Sequence, residues 1–200
     1  MTITNGYCTL AELKSYCDIT TTDTTDDAVL EDLIEAASRV IDNTTHRRFY
    51  ASTETKYFDV PVDQANDGLL FVDDLISITT LTNGATGALT ASYYQLLPLN
   101  TSPKWAIQLR GSSGMSWDCD TAGDAEGAIT IAGSWGYGAT CPDDIKQACL
   151  LIANAYRQKR SGQGVDGTAQ ITSAGIVIEA GDIPRDAARI LSHYRKLVVT

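Results

Sequence analysis

Residues 28–42 read AVLEDLIEAASRVID, and this stretch decides the class of fold. Its larger apolar residues recur at intervals of three and four, the spacing of one helix face: Leu30, Leu33, Ile34, Ala37, Val40 and Ile41. The opposite face is charged and consists of Glu31, Asp32, Glu35, Arg39 and Asp42. Thr24, followed three residues later by Asp27, is a helix-start signal. The pattern predicts an amphipathic helix over about 25–45 that packs through its apolar face.

Three further helices are predicted, one before a long middle region and two after it. Thr9-Leu10-Ala11-Glu12 has the form of a capping box, which predicts a helix over about 9–16. Asp143 and Asp144 suit the positive end of a helix dipole, and an apolar stripe follows them over about 143–160. Ile183-Pro184 begins a last helix over about 184–197. Before it, residues 161–170 are rich in Gly and Ser and predict a flexible loop, and residues 171–179 predict an extended segment.

The middle region changes its apolar period from about 3.6 to 2, which is typical of strands. Its β-branched and aromatic runs are Tyr57-Phe58-Asp59-Val60, Ile76-Ser77-Ile78-Thr79, Trp105-Ala106-Ile107-Gln108-Leu109 and residues 127–135. Asn83-Gly84 is a turn signal, with Leu81-Thr82 and Leu89-Thr90 as the flanks of a hairpin. We therefore predict an α+β fold. Residues 1–54 and 140–200 form a helical body in this prediction, and residues 55–139 form an inserted antiparallel β subdomain.

Charge and composition exclude several classes of protein. The 200 residues hold 15 Lys and Arg against 25 Asp and Glu, a net charge of −10, and all of the excess lies in residues 1–75. An acidic chain without a basic stripe binds nucleic acid phosphate poorly, so we expect no tight binding of DNA. The longest strongly apolar stretch, Ala148 to Ala153, is far too short for a membrane helix, and no secretory signal pattern follows Met1. We therefore expect a cytoplasmic protein without a membrane partner.

The cysteines, histidines and glycines lack the spacing of a metal or cofactor site, so we predict no metal and no cofactor. The five cysteines are odd in number and lack CxxC spacing, which disfavours a disulfide scaffold and a zinc site. His46 and His193 have no second histidine at helical spacing. Gly162, Gly164 and Gly167 match a dinucleotide fingerprint by letter, but they follow a helix instead of a strand, so a flexible loop is favoured.

Two motifs leave alternative functions open. Ala132-Gly133-Ser134-Trp135-Gly136 is close to a nucleophile elbow, and His193 is a conceivable base, which would make the protein a small serine hydrolase. Glycines and a proline follow Ser134 where the elbow needs a helix. A set of clustered oxygen donors resembles a calcium loop and would make the protein a calcium-dependent binding module: Asp118, Asp120, Gly123, Asp124 and Glu126. Ala122 and Ile129 occupy two ligand positions and break the EF-hand spacing.

Three blocks of sequence point to a known family. The first is YCTLAELKSY at 7–16, with residues 27–33, 36–42 and 47–49 after it. The second is GSWGY at 133–137 with PDDIKQA at 142–148, and the third is SAGI at 173–176 with Ile183-Pro184 and LSHYR at 191–195. In this order and spacing, the sequence resembles the head-tail connector proteins, also called adaptor or head-completion proteins, of long-tailed bacteriophages and gene-transfer particles. The β region from Thr55 to about Ala132 is longer than in the smallest members of that family.

The resemblance implies a structural protein of the virion neck, assembled in the host cytoplasm. It implies a ring of about twelve copies that docks under the portal protein after DNA packaging. The ring would extend the DNA exit channel and offer a platform to the next neck, stopper or tail-completion protein. DNA would pass without specific binding, which agrees with the acidic composition. No catalysis is implied.

Two candidate surfaces follow for this function. The C-terminal segment is basic and amphipathic, and the resemblance assigns it to the portal: Ile183, Arg185, Arg189, Ile190, Leu191, Tyr194, Arg195 and Leu197. A ring contact is head-to-tail and needs two different patches, for which Asp32 and Glu35 are one candidate and Arg39, Arg47 and Arg48 the other. The alternatives are a C-terminal helix packed on its own body and a helix face whose charges are merely solvated.

Overall fold

In the computed structural model, the described residues are 3–61, 68–160, 170–171, 177–178 and 183–196. The chain divides into two units, Met1–Arg47 with Cys141–Thr200 and Arg48–Thr140, here named the helical unit and the β unit. The helical unit contains α1 (Leu10–Tyr16), α2 (Asp27–Thr45), α3 (Asp143–Arg160), β7 (Gln170–Ile171), β8 (Val177–Ile178) and α4 (Arg185–Ser192). The β unit contains β1 (Ser52–Phe58), β2 (Leu69–Asn83), β3 (Gly87–Leu89), β4 (Tyr94–Leu97), β5 (Lys104–Leu109) and β6 (Ile129–Trp135). The predicted α+β class is confirmed.

Helix α1 begins with the capping box that its sequence predicts. The Thr9 hydroxyl accepts a hydrogen bond from the Glu12 backbone N–H at 3.2 Å, and the Glu12 carboxylate accepts one from the Thr9 N–H at 2.8 Å. Lys146 of α3 pairs with the same carboxylate at 2.9 Å. These contacts lower the pKa of Glu12, chiefly through the Thr9 backbone N–H and then through Lys146. One acidic side chain thus fixes the start of α1 and its contact with α3.

Helix α2 has the predicted apolar face but not the predicted cap. Leu30, Ile34, Ala37 and Ile41 are buried, as the spacing of the sequence indicates. Thr24 does not cap the helix: the N-cap residue is Asp26, which makes no side-chain cap hydrogen bond. Lys14 fixes this end instead, because its buried ammonium group pairs with the Asp27 carboxylate and donates to the Asp23 carbonyl at 2.7 Å. The start of α2 therefore depends on a residue of α1.

The C-terminal part of the helical unit departs from the sequence prediction. Helix α4 ends at Ser192, whereas the apolar pattern predicts a helix to about residue 197. The backbone turns at His193 and Tyr194, and the Lys196 N–H then donates to the Thr45 carbonyl at the end of α2. The single extended segment predicted over 171–179 is also wrong, because β7 pairs antiparallel with β8. The predicted loop at residues 161–170 lies outside the described residues except for Gln170, which is the first residue of β7.

The β unit is a six-stranded antiparallel sheet with strand order β1-β6-β2-β5-β4, and β3 pairs with β2. The predicted hairpin is confirmed, with Leu81 opposite Leu89. Its connection is a short 3-10 turn over Gly84–Thr86 instead of a two-residue turn. Gly84 has φ +47°, and a Cβ atom there would lie 2.1 Å from the Cys119 carbonyl oxygen, so this position requires glycine.

One face of the sheet holds the core of the β unit. Its large, fully buried side chains come from three strands, β2, β5 and β6: Leu75, Leu81, Ile107, Ile129, Ile131 and Trp135. Phe58 stacks on Trp135 at 5.9 Å between ring centroids, and the indole N–H donates to the Glu54 carbonyl at 3.0 Å. Because the indole N–H has a partner, Trp135 is buried without an unsatisfied donor.

An ion pair beside β1 gives the β unit a pH dependence. Arg48 donates to both carboxylate oxygens of Glu54, at 2.7 and 3.0 Å, and the Ser52 hydroxyl donates at 2.7 Å. Arg48, followed by Ser52, lowers the pKa of Glu54 from 4.5 to about 2. Because the folded pKa lies below the unfolded one, this contribution to stability is present above pH 4.5 and is lost as the pH falls toward 2.

We therefore expect Glu54→Gln to flatten the pH dependence of unfolding. Wild type should lose stability between about pH 5 and pH 2 more steeply than the variant. The reason is that Glu54 takes up a proton when the wild-type protein unfolds in this range, whereas glutamine does not titrate. Urea unfolding at a series of pH values measures the difference between the two proteins. Equal slopes for both proteins through this range would show that the Arg48 pair contributes nothing.

Candidate assembly surfaces

Three of the residues predicted for a ring contact lie on α2, and two of them hold the N-terminal segment of their own chain. The Glu35 carboxylate accepts hydrogen bonds from the Thr4 and Asn5 backbone N–H groups at 2.6 and 3.2 Å. Arg39 donates to the Asn5 carbonyl at 2.9 Å and lies 3.3 Å from the Asp42 carboxylate. Glu35 and Arg39 therefore fasten residues 4–5 onto α2.

The two other predicted basic residues are also engaged within the chain. Arg47 donates through Nε to the Tyr194 carbonyl at 2.7 Å in the helical unit. Arg48 binds Glu54 in the β unit, and that pair raises the pKa of Arg48. Asp32, in contrast, is exposed and makes no hydrogen bond or ion pair with any residue that the structure describes. The set remains a prediction, and Asp32 is its most accessible member.

Helix α4 packs inside the helical unit through part of its predicted docking face. Leu191 and Ala187 are buried, and α4 contacts both α3 and α2. The Tyr194 hydroxyl donates to the Asp144 carboxylate at 3.3 Å. Leu191 is therefore a core residue of the unit, and its assignment to a docking surface is wrong for this conformation. The sequence cannot distinguish an apolar stripe that packs internally from one that binds a partner.

The other docking candidates lie on α4 and on the residues just before and after it. Arg185, Arg189 and Arg195 are exposed, and their guanidinium groups have no partner among the described residues. Ile183 and Ile190 are half-buried, and Leu197 lies outside the described residues. Arg185 and Arg189 lie one turn apart on α4, and Arg195 follows three residues after the helix ends. These three cations, which have no partner in the part of the chain that the structure describes, are named here the α4 arginine surface.

The serine hydrolase motif has the wrong local structure. Ser134 lies within β6, opposite Thr53 of β1 and Ser77 of β2, so it occupies a central strand and not a turn into a helix. His193 is exposed at the end of α4, in the other unit. Neither residue has the surroundings of a nucleophile or its base, and the hydrolase alternative is not supported.

Two of the four carboxylates in the acidic loop of the β unit accept hydrogen bonds from within that unit. Asp120 accepts hydrogen bonds from the Ala122 and Asp124 backbone N–H groups at 2.8 and 2.9 Å, and Asp118 accepts one from the Thr86 hydroxyl at 2.9 Å. Across the ranges that the structure describes, no group of three or more His, Cys, Asp or Glu side chains is arranged to hold a metal. No helix in those ranges is long and apolar enough to cross a membrane. The calcium-module alternative is not supported.

An exposed aromatic pair on the β unit was missed in the sequence. Phe71 and Trp105 are 61% and 45% exposed, and their rings stack at 5.9 Å with an interplanar angle of 11°. Leu70 and Val72 are both buried, so the period of two places Phe71 on the opposite side of β2. The sequence LLFV at 69–72 is apolar throughout, so it contains no alternation that would mark Phe71 as exposed.

Comparison with known protein families identifies the class of the molecule. A family model matches residues 7–197, a range that includes all four helices and the six-stranded sheet, and it places the chain among the structural proteins of the virion head-tail connector. The chain belongs to the head completion protein family. No curated protein sequence matches the chain.

Solved structures of gene transfer agent (GTA) particles share the fold. A chain from the neck of an empty GTA particle, computed with C6 symmetry, aligns with a TM-score of 0.63 and 18% identity, over 100% of this chain and 95% of its own. A chain from the virion of a native GTA particle gives 0.63 and 20%, over 100% and 95%. A chain from the neck of a native GTA particle, computed with C12 symmetry, gives 0.61 and 18%, over 100% and 94%.

Proposed function

We propose that the chain forms a ring of about twelve copies in the virion neck, beneath the portal protein. The ring extends the DNA exit channel and offers a platform to the next neck, stopper or tail-completion protein. Its copies assemble in the host cytoplasm. The observation that supports this most is the family match over residues 7–197, and the C12 symmetry of a neck that holds a chain of the same fold agrees with it.

The charge of the chain suits a conduit for DNA. The net charge of −10 repels phosphate at long range. Four basic residues of α2, β1 and the chain between them each bind a carboxylate or carbonyl of the same chain: Arg39, Arg47, Arg48 and Lys56. DNA therefore passes the ring without specific binding in this proposal.

The mass of the purified chain, alone and with portal protein, tests the proposed ring. Native mass spectrometry of the mixture should show about twelve chains bound to each portal ring. A chain that stays monomeric and separates from portal at every concentration tested would contradict the proposal. Assembled particles whose necks lack the chain would contradict it as well.

The proposed role includes no catalysis. Ser134→Ala and His193→Ala should both leave assembly with portal unchanged. Hydrolysis of a simple ester by the wild-type chain, lost in Ser134→Ala, would revive the enzyme alternative.

We expect the exposed carboxylate of Asp32 to contribute to contact between neighbouring copies. Asp32→Lys should weaken ring assembly on portal by roughly three- to tenfold at low salt, because an attraction becomes a repulsion. The loss should shrink at high salt, which screens exposed charges. Sedimentation of chain and portal at two salt concentrations measures it.

Asp124→Lys is the matched control for this experiment. It makes the same change in net charge at an exposed residue of the β unit. If both variants assemble like wild type, the charged face of α2 is only solvated.

A further inference from the structure

Two cysteines that are 141 residues apart in sequence meet inside the helical unit. The sulfur atoms of Cys8, just before α1, and Cys149, in α3, lie 3.5 Å apart. Cys8 is 4% exposed and Cys149 is fully buried. All five cysteines of the chain are free thiols. A disulfide needs a sulfur separation of about 2.05 Å, so closing this pair requires a movement of about 1.5 Å.

Surrounding contacts hold the two thiols in place. The Cys8 thiol donates to the Cys149 sulfur, which in turn lies 3.6 Å from the Ser38 hydroxyl oxygen. Ser38 accepts the backbone N–H of Tyr7 at 3.0 Å and donates to the Ile34 carbonyl at 2.7 Å. The segment that precedes α1 is therefore fixed against α2 at the point where its cysteine meets α3.

The hydrogen bond between the two thiols distinguishes their reactivity. It raises the pKa of Cys8, and burial raises it further, so Cys8 keeps its proton. The same hydrogen bond lowers the pKa of Cys149; burial acts in the opposite direction, and hydrogen bonds from Ser38 and the backbone lower the pKa further. Of the two buried sulfurs, Cys149 is therefore the one that ionises first, and the thiolate is the form of a cysteine that attacks an oxidant.

We propose that Cys8 and Cys149 are a latent disulfide, which is open in a reducing compartment and closes when the protein meets a peroxide. The Cys149 thiol attacks hydrogen peroxide, the O–O bond breaks, and the products are a sulfenic acid and one water. The Cys8 thiol then attacks that sulfur and displaces the hydroxyl group as a second water, which leaves an S–S bond. Two electrons pass from the thiols to the peroxide, and every proton leaves in water.

The bond would fasten the segment before α1 to α3 covalently. Cytosolic thiols stay reduced, whereas an oxidising exterior favours disulfides. The cross-link would close a loop of about 140 residues and so restrict the unfolded chain. A particle component would thus become more stable after it leaves the cell in which it was made.

Peroxide treatment of the purified full-length chain tests this proposal. After alkylation of the remaining thiols, peptide mapping should show the Cys8 and Cys149 peptides linked, with free thiols falling from five to three. The unfolding midpoint of the helical unit should rise by roughly 5–15 °C and return after dithiothreitol. Cys149→Ser should abolish the link and the rise, and Cys141→Ser, a half-buried cysteine, should keep both.

Circular dichroism separates loss of the bond from loss of the fold. Cys8→Ser is a second variant that should remain folded and give no link. A link from Cys149 to Cys141, or oxidation of the half-buried cysteines while Cys8 and Cys149 stay reduced, would overturn the proposal. A wild-type link that forms without any change in the unfolding midpoint would overturn its stabilising role.

Discussion

Replacing Ile34 by alanine is expected to lower the free energy of unfolding of the helical unit by about 2–5 kcal/mol. Ile34 lies in the middle of α2 with no exposed surface, and its carbonyl accepts the Ser38 hydroxyl. Removing its side chain loses the transfer free energy of the buried methylene groups and leaves a cavity between packed helices. Urea unfolding followed by circular dichroism at 222 nm measures the change.

Asn43→Ala is the matched control for this prediction. Asn43 is exposed on the same helix, so its replacement should alter stability by less than about 0.5 kcal/mol. A change that small in Ile34→Ala would contradict the packing of α2 described above. Tryptophan fluorescence, recorded in the same titration, follows the β unit, because all three tryptophans of the chain lie in it.

Local signals in the sequence predicted much of the fold correctly. The capping box at Thr9, the apolar stripe of α2 and the bounds of α3 all depend on residues within a few positions of one another. Propensity and amphipathic spacing act at that range, so they can be read from the sequence. The hairpin between β2 and β3 is local in the same sense, because only a short turn separates its strands.

The errors arose where distant residues set the outcome. Lys14 fixes the start of α2 in place of a Thr24 cap, and contacts from Arg47 and Thr45 accompany the early end of α4. The ring candidates illustrate the same point. Glu35 has the spacing of a solvated helix residue, yet it binds backbone N–H groups that lie 30 and 31 positions earlier. Sequence spacing cannot show such a partner.

Burial also limits which of the predicted docking residues are accessible for contact with the portal protein. A stripe of apolar residues at helical spacing indicates one buried face but does not identify what covers it. In this chain Leu191 is buried and α4 packs against α2 and α3, while the opposite face of the helix carries Arg185 and Arg189 of the α4 arginine surface. The portal prediction therefore rests on charge, and it is best tested without disturbing the core.

Reversal of all three charges on the α4 arginine surface is expected to reduce portal affinity by on the order of a hundredfold. An exposed ion pair is worth about 0.2–1 kcal/mol, and reversal replaces each attraction by a repulsion, so three sites together change the binding free energy by about 3 kcal/mol. The variant replaces Arg185, Arg189 and Arg195 by glutamate and retains Leu191 and Tyr194. Titration of immobilised portal with the chain measures the affinity.

The matched control places three glutamates at other exposed positions of the helical unit, and circular dichroism verifies that both variants are folded. Thr20, Thr22 and Asn43 are exposed and suit this purpose, although glutamate there adds three negative charges whereas reversal of the arginines changes the charge by six. A general repulsion by net charge would therefore weaken the control about half as much, in kcal/mol, as the α4 variant. Wild-type affinity for portal in the α4 variant would refute docking by this surface. Equal losses of binding free energy per unit charge in both variants would assign the effect to net charge alone. A loss of affinity that is confined to the α4 variant and is smaller at high salt is the result that a specific basic docking surface requires.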